Sequence, residues 1–250
     1  MQSKVHVNLK LHAQASVALF YLATEECRDA LRIMRRTIVI GDVHGCAEEF
    51  EALLKGLKLK PKDRVYQVGD LINRGPDSHR VLKLAYKYDV RPVLGNHEVR
   101  LLQSRKENNT ESLKSYDHDT LLQLTKTDWK FLEKLPPYIY KPKHKTVIVH
   151  AGFLPEPAWY EQDIETITQI QVIDANGKPA RQDASSAAAT WAEYWHGLPF
   201  VVYGHNARPK VFRHPGSIGI DTGCVYGGHL TAYVLEDQSI FQVPAKRKYV

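Results

Sequence analysis

The chain has 250 residues, of which 43% are hydrophobic and 25% are charged. This length and balance suit one globular domain with a sizeable core, and they exclude a disordered or fibrous chain. The formal net charge of +6 mildly favours a polyanionic partner, although such an excess is commonly no more than a solvated surface.

The cysteine spacing and the hydropathy pattern bear on the cellular compartment of the protein. The three cysteines lie far apart and form no Cys-x-x-Cys pair, so neither a disulfide framework nor a zinc knuckle is indicated and a cytoplasmic location is predicted. The apolar run at 15–23 is too short for a membrane span and is followed by two glutamates, so we expect no membrane partner. No specific nucleic-acid-binding motif is found.

Two segments are predicted along the chain. Residues 1–36 precede the first strong strand pattern and are interpreted as an N-terminal helical extension, because the apolar run suits a buried or amphipathic helix. Met34, just before that strand, could itself have been a start. Residues 37–250 are predicted to form a single domain.

The first half of the domain alternates short apolar runs with helical stretches. Strands are predicted at 37–40, 65–68 and 91–94, and helices at 47–57 and 78–88. This β-α-β-α-β order is typical of an α/β fold with parallel strands. The stretch from 100 to 135 is predicted to be mostly helical, with a helix at 120–135 that the Pro136-Pro137 pair ends.

The second half is predicted to be mainly β. Strands are expected at 138–140, 146–149, 200–203, 217–220, 230–235 and 240–243. The segment 156–186 is irregular and has a turn signal at Ala175-Asn176-Gly177. The Ala-rich stretch 187–195 is predicted to be a helix.

Polar residues follow five of the predicted strands. The clusters are Gly41-Asp42-Val43-His44-Gly45, then Gly69-Asp70, then Gly95-Asn96-His97-Glu98, and two later strands end at His150 and His205. Because the carboxyl ends of neighbouring strands in an open α/β sheet converge on one crevice, these side chains are expected to face each other.

The side-chain types at these strand ends predict a metal site. The candidate ligands are Asp42, His44, Asp70, Asn96, His150 and His205. Mixed imidazole and carboxylate ligands suit transition metals such as Mn, Co, Zn or Fe, whereas Mg or Ca prefers oxygen alone. Six ligands exceed what one ion with an open position needs, so two divalent ions bridged by a carboxylate, with Asp70 as the bridge, are predicted. A single Gly-Asp is usually a turn and a single His is usually structural, but five coincident strand ends do not fit that explanation.

Three motifs resemble the signatures of the phosphoprotein phosphatase (calcineurin-like) metallophosphoesterases. They are Gly-Asp-Val-His-Gly at 41–45, Gly-Asp-Leu-Ile-Asn-Arg-Gly at 69–75 and Gly-Asn-His-Glu at 95–98. Within the family, GDLINRGPDS, LGNHEVRLL and DTGCVYGGHLT are most similar to the diadenosine tetraphosphatase and its ApaH-like relatives. The protein Ser/Thr phosphatases are less similar.

The resemblance implies an α/β fold, specifically a four-layer α/β/β/α metallophosphoesterase sandwich with two mixed sheets and metals at the sheet edges. It implies that Asp42, His44 and Asp70 bind one ion, and that Asp70, Asn96, His150 and His205 bind the other. Metal-activated hydroxide would then attack phosphorus in line.

The same likeness assigns roles to residues around the ions. His97 would be the general acid that protonates the leaving oxygen, while Arg74 and Asn96 would bind phosphate oxygens. Arg208, three residues after His205, is a further phosphate-binding candidate, and a solvated loop charge explains it equally well.

Asn73 departs from the family pattern. Many members carry Asp immediately before the arginine, where its charge favours the protonated form of the catalytic histidine. Asn73 can hold the ring of His97 by a hydrogen bond without raising its pKa by charge. We therefore predict that the limb of the pH–activity profile governed by His97 as the acid lies at lower pH than in an Asn73→Asp variant.

The sequence leaves several substrates open. The favoured function is symmetrical hydrolysis of dinucleoside tetraphosphates, or an ApaH-like phosphatase activity. The alternatives are a protein Ser/Thr or Tyr phosphatase, an inorganic polyphosphatase and an mRNA cap-removing phosphatase. The expected substrate is accordingly a phosphorylated small molecule, a polyphosphate or a phosphoprotein. A non-catalytic binding module would predict damage to the ligand set, and the sequence carries none.

Overall fold

The computed structural model describes residues 35–182 and 189–250. Its strands are β1 (Thr37–Ile40), β2 (Arg64–Gln67), β3 (Val90–Pro92), β4 (Tyr138–Lys141), β5 (Thr146–Val149), β6 (Val172–Ile173), β7 (Pro179–Ala180), β8 (Phe200–Tyr203), β9 (Phe212–His214), β10 (Ser217–Gly219), β11 (His229–Val234) and β12 (Ile240–Pro244). Its α-helices are α1 (Ala47–Gly56), α2 (Ser78–Lys87), α3 (Asn96–Glu107), α4 (Ser115–Gln123), α5 (Lys126–Leu132), α6 (Ile164–Gln169) and α7 (Trp191–Tyr194).

The main strands form two mixed five-stranded sheets. The first has the order β12-β11-β1-β2-β3, in which β1, β2 and β3 are parallel and β11 and β12 are antiparallel to their neighbours. The second has the order β4-β5-β8-β10-β9, with β5, β8 and β10 parallel and antiparallel strands at both edges. The predicted α/β fold with two mixed sheets is confirmed.

The two faces of the first sheet are buried in different layers. Val39 of β1 packs with Ile148 of β5 and Val202 of β8 between the sheets. Its neighbours Ile38 and Ile40 pack with the apolar residues of α1 and α2. Because successive side chains of a strand point to opposite faces, one short strand supplies both layers.

The outer face of the second sheet is covered in the same way. Val147 of β5 and Val201 of β8 pack with Ile167 of α6 and Trp191 of α7. The layers therefore follow the order helices, sheet, sheet, helices. His150, directly after β5, donates from Nδ1 to the carbonyl of Val68, directly after β2, at 2.9 Å, so the carboxyl ends of the two sheets meet.

Three predicted elements differ in the structure. The helix expected at 120–135 is divided into α4 and α5, because Leu124 is extended and Thr125 caps α5 by accepting from the N–H of Asp128. The irregular segment contains α6 and a hairpin of β6 and β7 around the predicted turn. Of the helix predicted at 187–195, only Trp191–Tyr194 is helical, and residues 187–188 lie outside the described ranges.

The predicted N-terminal extension falls almost wholly on residues 1–34, outside the described ranges. The extension and its boundary at residue 36 therefore stay predictions. Within the described ranges, none of the helices combines the length and the apolar character needed to cross a bilayer.

Candidate metal centre and phosphate site

Five of the predicted site residues have a left-handed backbone. The φ angles are 47° at His44, 57° at Asp70, 73° at Asn73, 68° at Arg74 and 66° at His205. Side-chain-bearing residues rarely adopt this conformation, at a cost on the order of 1–3 kcal/mol each, and they persist only where the surrounding structure holds them. Their concentration at the meeting carboxyl ends of the sheets indicates a functional site.

The loop after β2 is held by the buried carboxylate of Glu98. Its two oxygens accept from the N–H groups of Asp70 and Leu71 at 2.8 Å and of Ile72 at 3.3 Å. A fourth N–H, from Gly95 at the start of α3, donates at 3.0 Å. These bonds fix the left-handed turn at Asp70. The sequence analysis quoted Glu98 within a motif but assigned it no role.

Gly95 permits the close approach of the two loops. A Cβ atom at this position would lie 2.2 Å from Oδ1 of Asp70, nearer than two non-bonded atoms can come. The same Asp70 oxygen accepts from the N–H of His97 at 3.0 Å. Glycine is therefore required where α3 begins, and it lets the backbone of α3 orient the carboxylate of Asp70.

Three of the histidines are oriented by backbone carbonyls. His150 donates from Nδ1 to Val68 at 2.9 Å, His44 from Nδ1 to Ile72 at 3.2 Å, and His205 from Nε2 to Gln169 at 3.2 Å. A carbonyl on one ring nitrogen fixes the proton there and leaves the other nitrogen free to bind a metal. All three rings thus offer one lone pair toward the space around Asp70 and Asn96.

The free nitrogens lie close to oxygen atoms. Nε2 of His150 is 3.4 Å from Oδ2 of Asp70 and 2.9 Å from Oδ1 of Asn96, which is also 3.0 Å from Nδ1 of His205. Nε2 of His44 is 3.5 Å from Oδ2 of Asp70. Lone pairs that face each other at these distances need a proton or a metal cation between them. This mixture of donors suits a divalent transition metal.

Asp70 is shared by two groups of potential ligands. His44, Asp70 and His97 have ligand atoms within 4.8 Å of one another, and so do Asp70, His150 and His205. A carboxylate common to two such groups is the arrangement that a two-metal site needs. The described residues can therefore hold metal ions at the position predicted from the strand ends.

The acidic groups also fit a cationic occupant. Burial, together with the carboxylates of Asp221 and Asp70, raises the pKa of Asp42 well above its usual range. Burial and Asp70 raise the pKa of Glu98 to about 7, and burial raises the pKa of Asp221 to about 6. Burial opposes the ionisation of Asp70 too, but His150 and His97 hold its pKa well below the usual value. Bound cations would offset this concentration of buried negative charge.

Asp42 enters the site from the loop after β1. Its carboxylate accepts from the backbone N–H of His205 at 3.2 and 3.1 Å, which joins the end of β1 to the loop after β8. Burial lowers the pKa of His205 to about 3 and that of His44 to about 4. Both rings are therefore neutral at pH 7, the form that binds metals.

The ring of His97 is held by a buried polar network. Nδ1 lies 2.9 Å from the amide nitrogen of Asn73 and 3.1 Å from a guanidinium nitrogen of Arg100. Asp117 accepts from the same Asn73 amide at 2.6 Å and from Arg100 at 3.0 and 2.8 Å. Because a reversed amide would set its oxygen against the carboxylate of Asp117, Nδ1 of His97 accepts and Nε2 carries the proton.

The surroundings of His97 lower its basicity. Burial holds its pKa well below the usual value, and His44, Arg74 and Arg100 act in the same direction, although Asp70 works in the opposite direction. The hydrogen bond from Asn73 matches the sequence prediction. Asp117 and Arg100 were not identified from sequence, because Asp117 lies 44 positions from Asn73 and no motif links them.

Arg74 lies at the mouth of the site. One guanidinium nitrogen is 3.3 Å from Nε2 of His44 and also donates to the hydroxyl of Tyr226. Among the described residues, no carboxylate forms a salt bridge with Arg74. The cavity around it has a volume of about 420 Å³ and is lined by Asp70, Arg74, Asn96, His97, Arg100, Lys114, Tyr116, Gln171, Arg181, His205, Asn206, Ala207 and Tyr226.

Arg208 is not brought together with the other predicted residues. Its guanidinium lies 3.9 Å from the centre of the Phe212 ring, and only its backbone N–H reaches toward the site, donating to the carbonyl of Asp221 at 3.1 Å. The side chain leaves the loop toward β9 and does not line the cavity. The cationic side chains that do line it, besides Arg74, are Arg100, Lys114 and Arg181, which the sequence analysis did not select.

Comparison with known proteins gives a consistent result. The family model described as calcineurin-like phosphoesterase matches residues 35–236. A bis(5'-nucleosyl)-tetraphosphatase PrpE [asymmetrical] of Oceanobacillus iheyensis is 32% identical, with 85% of this chain and 93% of that protein covered. A symmetrical bis(5'-nucleosyl)-tetraphosphatase of Serratia proteamaculans is 29% identical, with 85% and 95% covered.

The fold has a similar solved structure. A chain described as "Crystal structure of a putative diadenosine tetraphosphatase" has a TM-score of 0.76 and 33% sequence identity, over 85% of this chain and 95% of that one. The family match spans every candidate ligand and all of both sheets except the edge strand β12. The chain therefore belongs to the calcineurin-like phosphoesterase family and is a hydrolase of the metallophosphoesterase type.

Proposed function

We propose that this phosphoesterase hydrolyses dinucleoside polyphosphates with the help of two divalent transition-metal ions of the Mn, Co, Zn or Fe type. The observation that carries the proposal is the carboxylate of Asp70, which lies 3.5 Å from Nε2 of His44 and 3.4 Å from Nε2 of His150 and lines a cavity with cationic walls. A polyphosphate chain is the substrate that both features suit.

The ions would be held by residues from both sheets. One set is Asp42, His44 and Asp70, and the other is Asp70, Asn96, His150 and His205. When bound, such ions supply Lewis-acid activation of water and neutralise phosphate charge. The neutral imidazoles of His44 and His205 are ready for this role at pH 7, and the carbonyls behind them keep the ligating nitrogens aimed inward.

Two further side chains would act on the phosphate itself. Arg74, which has no carboxylate partner among the described residues, binds the non-bridging oxygens and holds phosphorus for in-line attack. His97 faces the cavity with the proton on Nε2, and this N–H donates to the leaving oxygen. Asn73, Asp117 and Arg100 keep that tautomer in place.

The state of His97 favours an anhydride over a phosphoserine substrate. An alkoxide leaves only with a full proton, and a neutral imidazole whose Nδ1 accepts two hydrogen bonds is a poor source of one. A departing phosphate or nucleotide is stable as an anion and needs only hydrogen bonds and nearby cations. The names of the similar proteins, which are tetraphosphatases of two cleavage types, support the same class.

A substrate panel tests the proposal. The purified chain, loaded with Mn, Co or Zn in separate samples, would be given diadenosine tetraphosphate, inorganic polyphosphate, capped RNA and a phosphopeptide. We expect the highest kcat/KM for diadenosine tetraphosphate. Two ADP molecules as products would establish symmetrical cleavage, and AMP with ATP would establish asymmetrical cleavage.

Other outcomes have definite meanings. A faster rate with the phosphopeptide would replace the proposal by a protein phosphatase function, and a faster rate with polyphosphate or capped RNA would replace it by those alternatives. Inactivity on all four substrates, with metal content verified by elemental analysis, would support a binding module.

A further inference from the structure

Three cationic side chains surround the ring of Tyr116 on one wall of the cavity. The ring centre is 5.6 Å from the guanidinium carbon of Arg100, 5.9 Å from that of Arg74 and 5.9 Å from Nζ of Lys114. All four residues line the same cavity. We call this group the Tyr116 cluster.

The positive charge of the cluster is only partly neutralised. Asp117 is the carboxylate that pairs with it, and both oxygens of Asp117 are taken by Arg100 and Asn73. For Arg74 and Lys114, no salt bridge is formed with any described residue. Like charges that converge on one ring repel each other, and a polyanion lying between them would relieve that repulsion.

The position of the cluster identifies the part of the substrate it meets. The Tyr116 ring lies beside the His97 ring, with centroids 5.6 Å apart, and His97 is the residue proposed to donate to the leaving oxygen. Arg74 is proposed to hold the phosphate under attack, so the other members of the cluster, Arg100, Lys114 and Tyr116, are the ones expected to face the leaving portion of the substrate.

Lys114 is anchored where it can serve this purpose. Its backbone N–H donates to Oδ2 of Asp117 at 2.9 Å at the start of α4, so the carboxylate that pairs with Arg100 also fixes the main chain at Lys114. The flexible stem and ammonium group remain exposed at the cavity rim and can follow a phosphate chain.

We infer that Lys114, Tyr116 and Arg100 form a subsite for the phosphates of the leaving group, beyond the bond that is cleaved. The inference rests on the proposed function. It explains how one metal centre would distinguish polyphosphorylated leaving groups from simple alcohols or phenols, since only the former reach the cluster with negative charge.

A pair of lysine variants tests the subsite. Lys114→Met removes the charge and keeps most of the stem, and Lys126→Met is the matched control on the exposed surface of α5. The kcat/KM for diadenosine tetraphosphate would be divided by that for p-nitrophenyl phosphate, whose leaving group carries no phosphate. We expect this ratio to fall about tenfold in Lys114→Met, as for one lost charge-assisted contact, and to stay unchanged in Lys126→Met.

A binding measurement separates failure of the subsite from failure of the proposed function. Inorganic tripolyphosphate should inhibit p-nitrophenyl phosphate hydrolysis, with an inhibition constant about tenfold higher in Lys114→Met than in the wild type. This assay works even if diadenosine tetraphosphate is not hydrolysed. An unchanged ratio would overturn the inference, because Lys114→Met would then affect both substrates equally or not at all. Where the dinucleotide is not hydrolysed, an unchanged inhibition constant would overturn it.

Discussion

The floor and the wall of the cavity are built in opposite ways. The floor consists of the six candidate metal ligands, which follow strand ends. Four of them are buried, with Asp70 2% and His150 0% exposed, and Asn96 and His205 are half-buried. The wall consists of Arg74 and the rest of the Tyr116 cluster, whose cationic ends reach into the open cavity. Backbone groups orient the floor, whereas other side chains orient most of the wall.

This difference separates chemistry from selectivity. A ligand held by a backbone carbonyl cannot move without moving a strand end, so the floor can support only one reaction type. A lysine or arginine on a flexible stem can be exchanged without changing the fold, so the wall can be adapted to different leaving groups. Substitutions in the floor should therefore abolish activity on every substrate, and substitutions in the wall should change which substrates are preferred.

Removing the shared carboxylate of the floor should have the largest effect. Asp70→Ala takes a ligand from both proposed ions, and we expect kcat to fall on the order of a thousandfold on every substrate. Asp119→Ala, an exposed residue of α4, serves as the control. Circular dichroism and metal content would accompany the assay, and retention of full activity by Asp70→Ala would contradict the two-metal proposal.

Glu98 tests whether the backbone behind the floor matters as much as the ligands. In Glu98→Gln a side-chain amide replaces the carboxylate. Its NH2 group would face backbone N–H donors that bond to a carboxylate oxygen in the wild type, and this should loosen the turn at Asp70. We expect metal affinity to fall about 10- to 100-fold, the range typical of residues that orient ligands. Isothermal titration with Mn or Zn measures this loss. An unchanged affinity would show that the turn at Asp70 does not depend on the carboxylate of Glu98.

Metal affinity should weaken as the pH falls from 8 to 6. The metal-free site binds protons in this range, because the folded-state pKa values of Glu98 and Asp221 are raised to about 7 and about 6. Cations displace these protons, so lower pH opposes binding, by about tenfold per pH unit for each proton released. His44 and His205, with pKa values of about 4 and 3, do not compete there, whereas, despite burial, Asp70 raises the pKa of His150, so the proton of His150 adds to the competition.

The proton release can be measured directly. Titrations at pH 6 in two buffers of different ionisation enthalpy should give different apparent heats, and the difference should shrink at pH 8.5. Equal heats at pH 6 would mean that the acids are already ionised without metal.

Replacing Asn73 should have the smallest effect on activity. It should shift the pH dependence that His97 governs and leave the metal ligands of the floor unchanged. In Asn73→Asp a carboxylate would accept from Nδ1 of His97 and raise its pKa. Since an acid loses its function as pH rises through its pKa, the limb governed by His97 should move to higher pH, by about one unit. Asp117, bonded to the same amide at 2.6 Å, limits the shift by repulsion.

The same substitution should also change the relative activity on the two kinds of substrate. Because a larger fraction of His97 would be protonated, the variant should gain activity on phosphopeptide relative to diadenosine tetraphosphate. The pH–activity profiles of wild type and variant on both substrates measure the effect. Coincident profiles would show that the charge at residue 73 has no influence on His97.

The strand ends and their chemistry were determined by the sequence alone. Short apolar runs that end in Gly-Asp, Gly-Asn-His or a histidine define both where the chain turns and what it presents there, and the parallel order of the strands brings those ends to one edge. These are local patterns, so they can be recognised without a structure. Residue types at the five strand ends were therefore enough to predict a metal centre.

Only the tertiary structure decided what surrounds that centre. Glu98 gathers four backbone N–H groups, Asp117 orients Asn73 from 44 positions away, and Lys114 approaches the cavity from the residue just before α4. Arg208, although near His205 in sequence, instead lies on Phe212. Long charged side chains can turn to either side of a loop, and packing between distant segments sets their direction. For this reason the sequence predicted the reaction type, while the residues of the wall could be identified only from the fold.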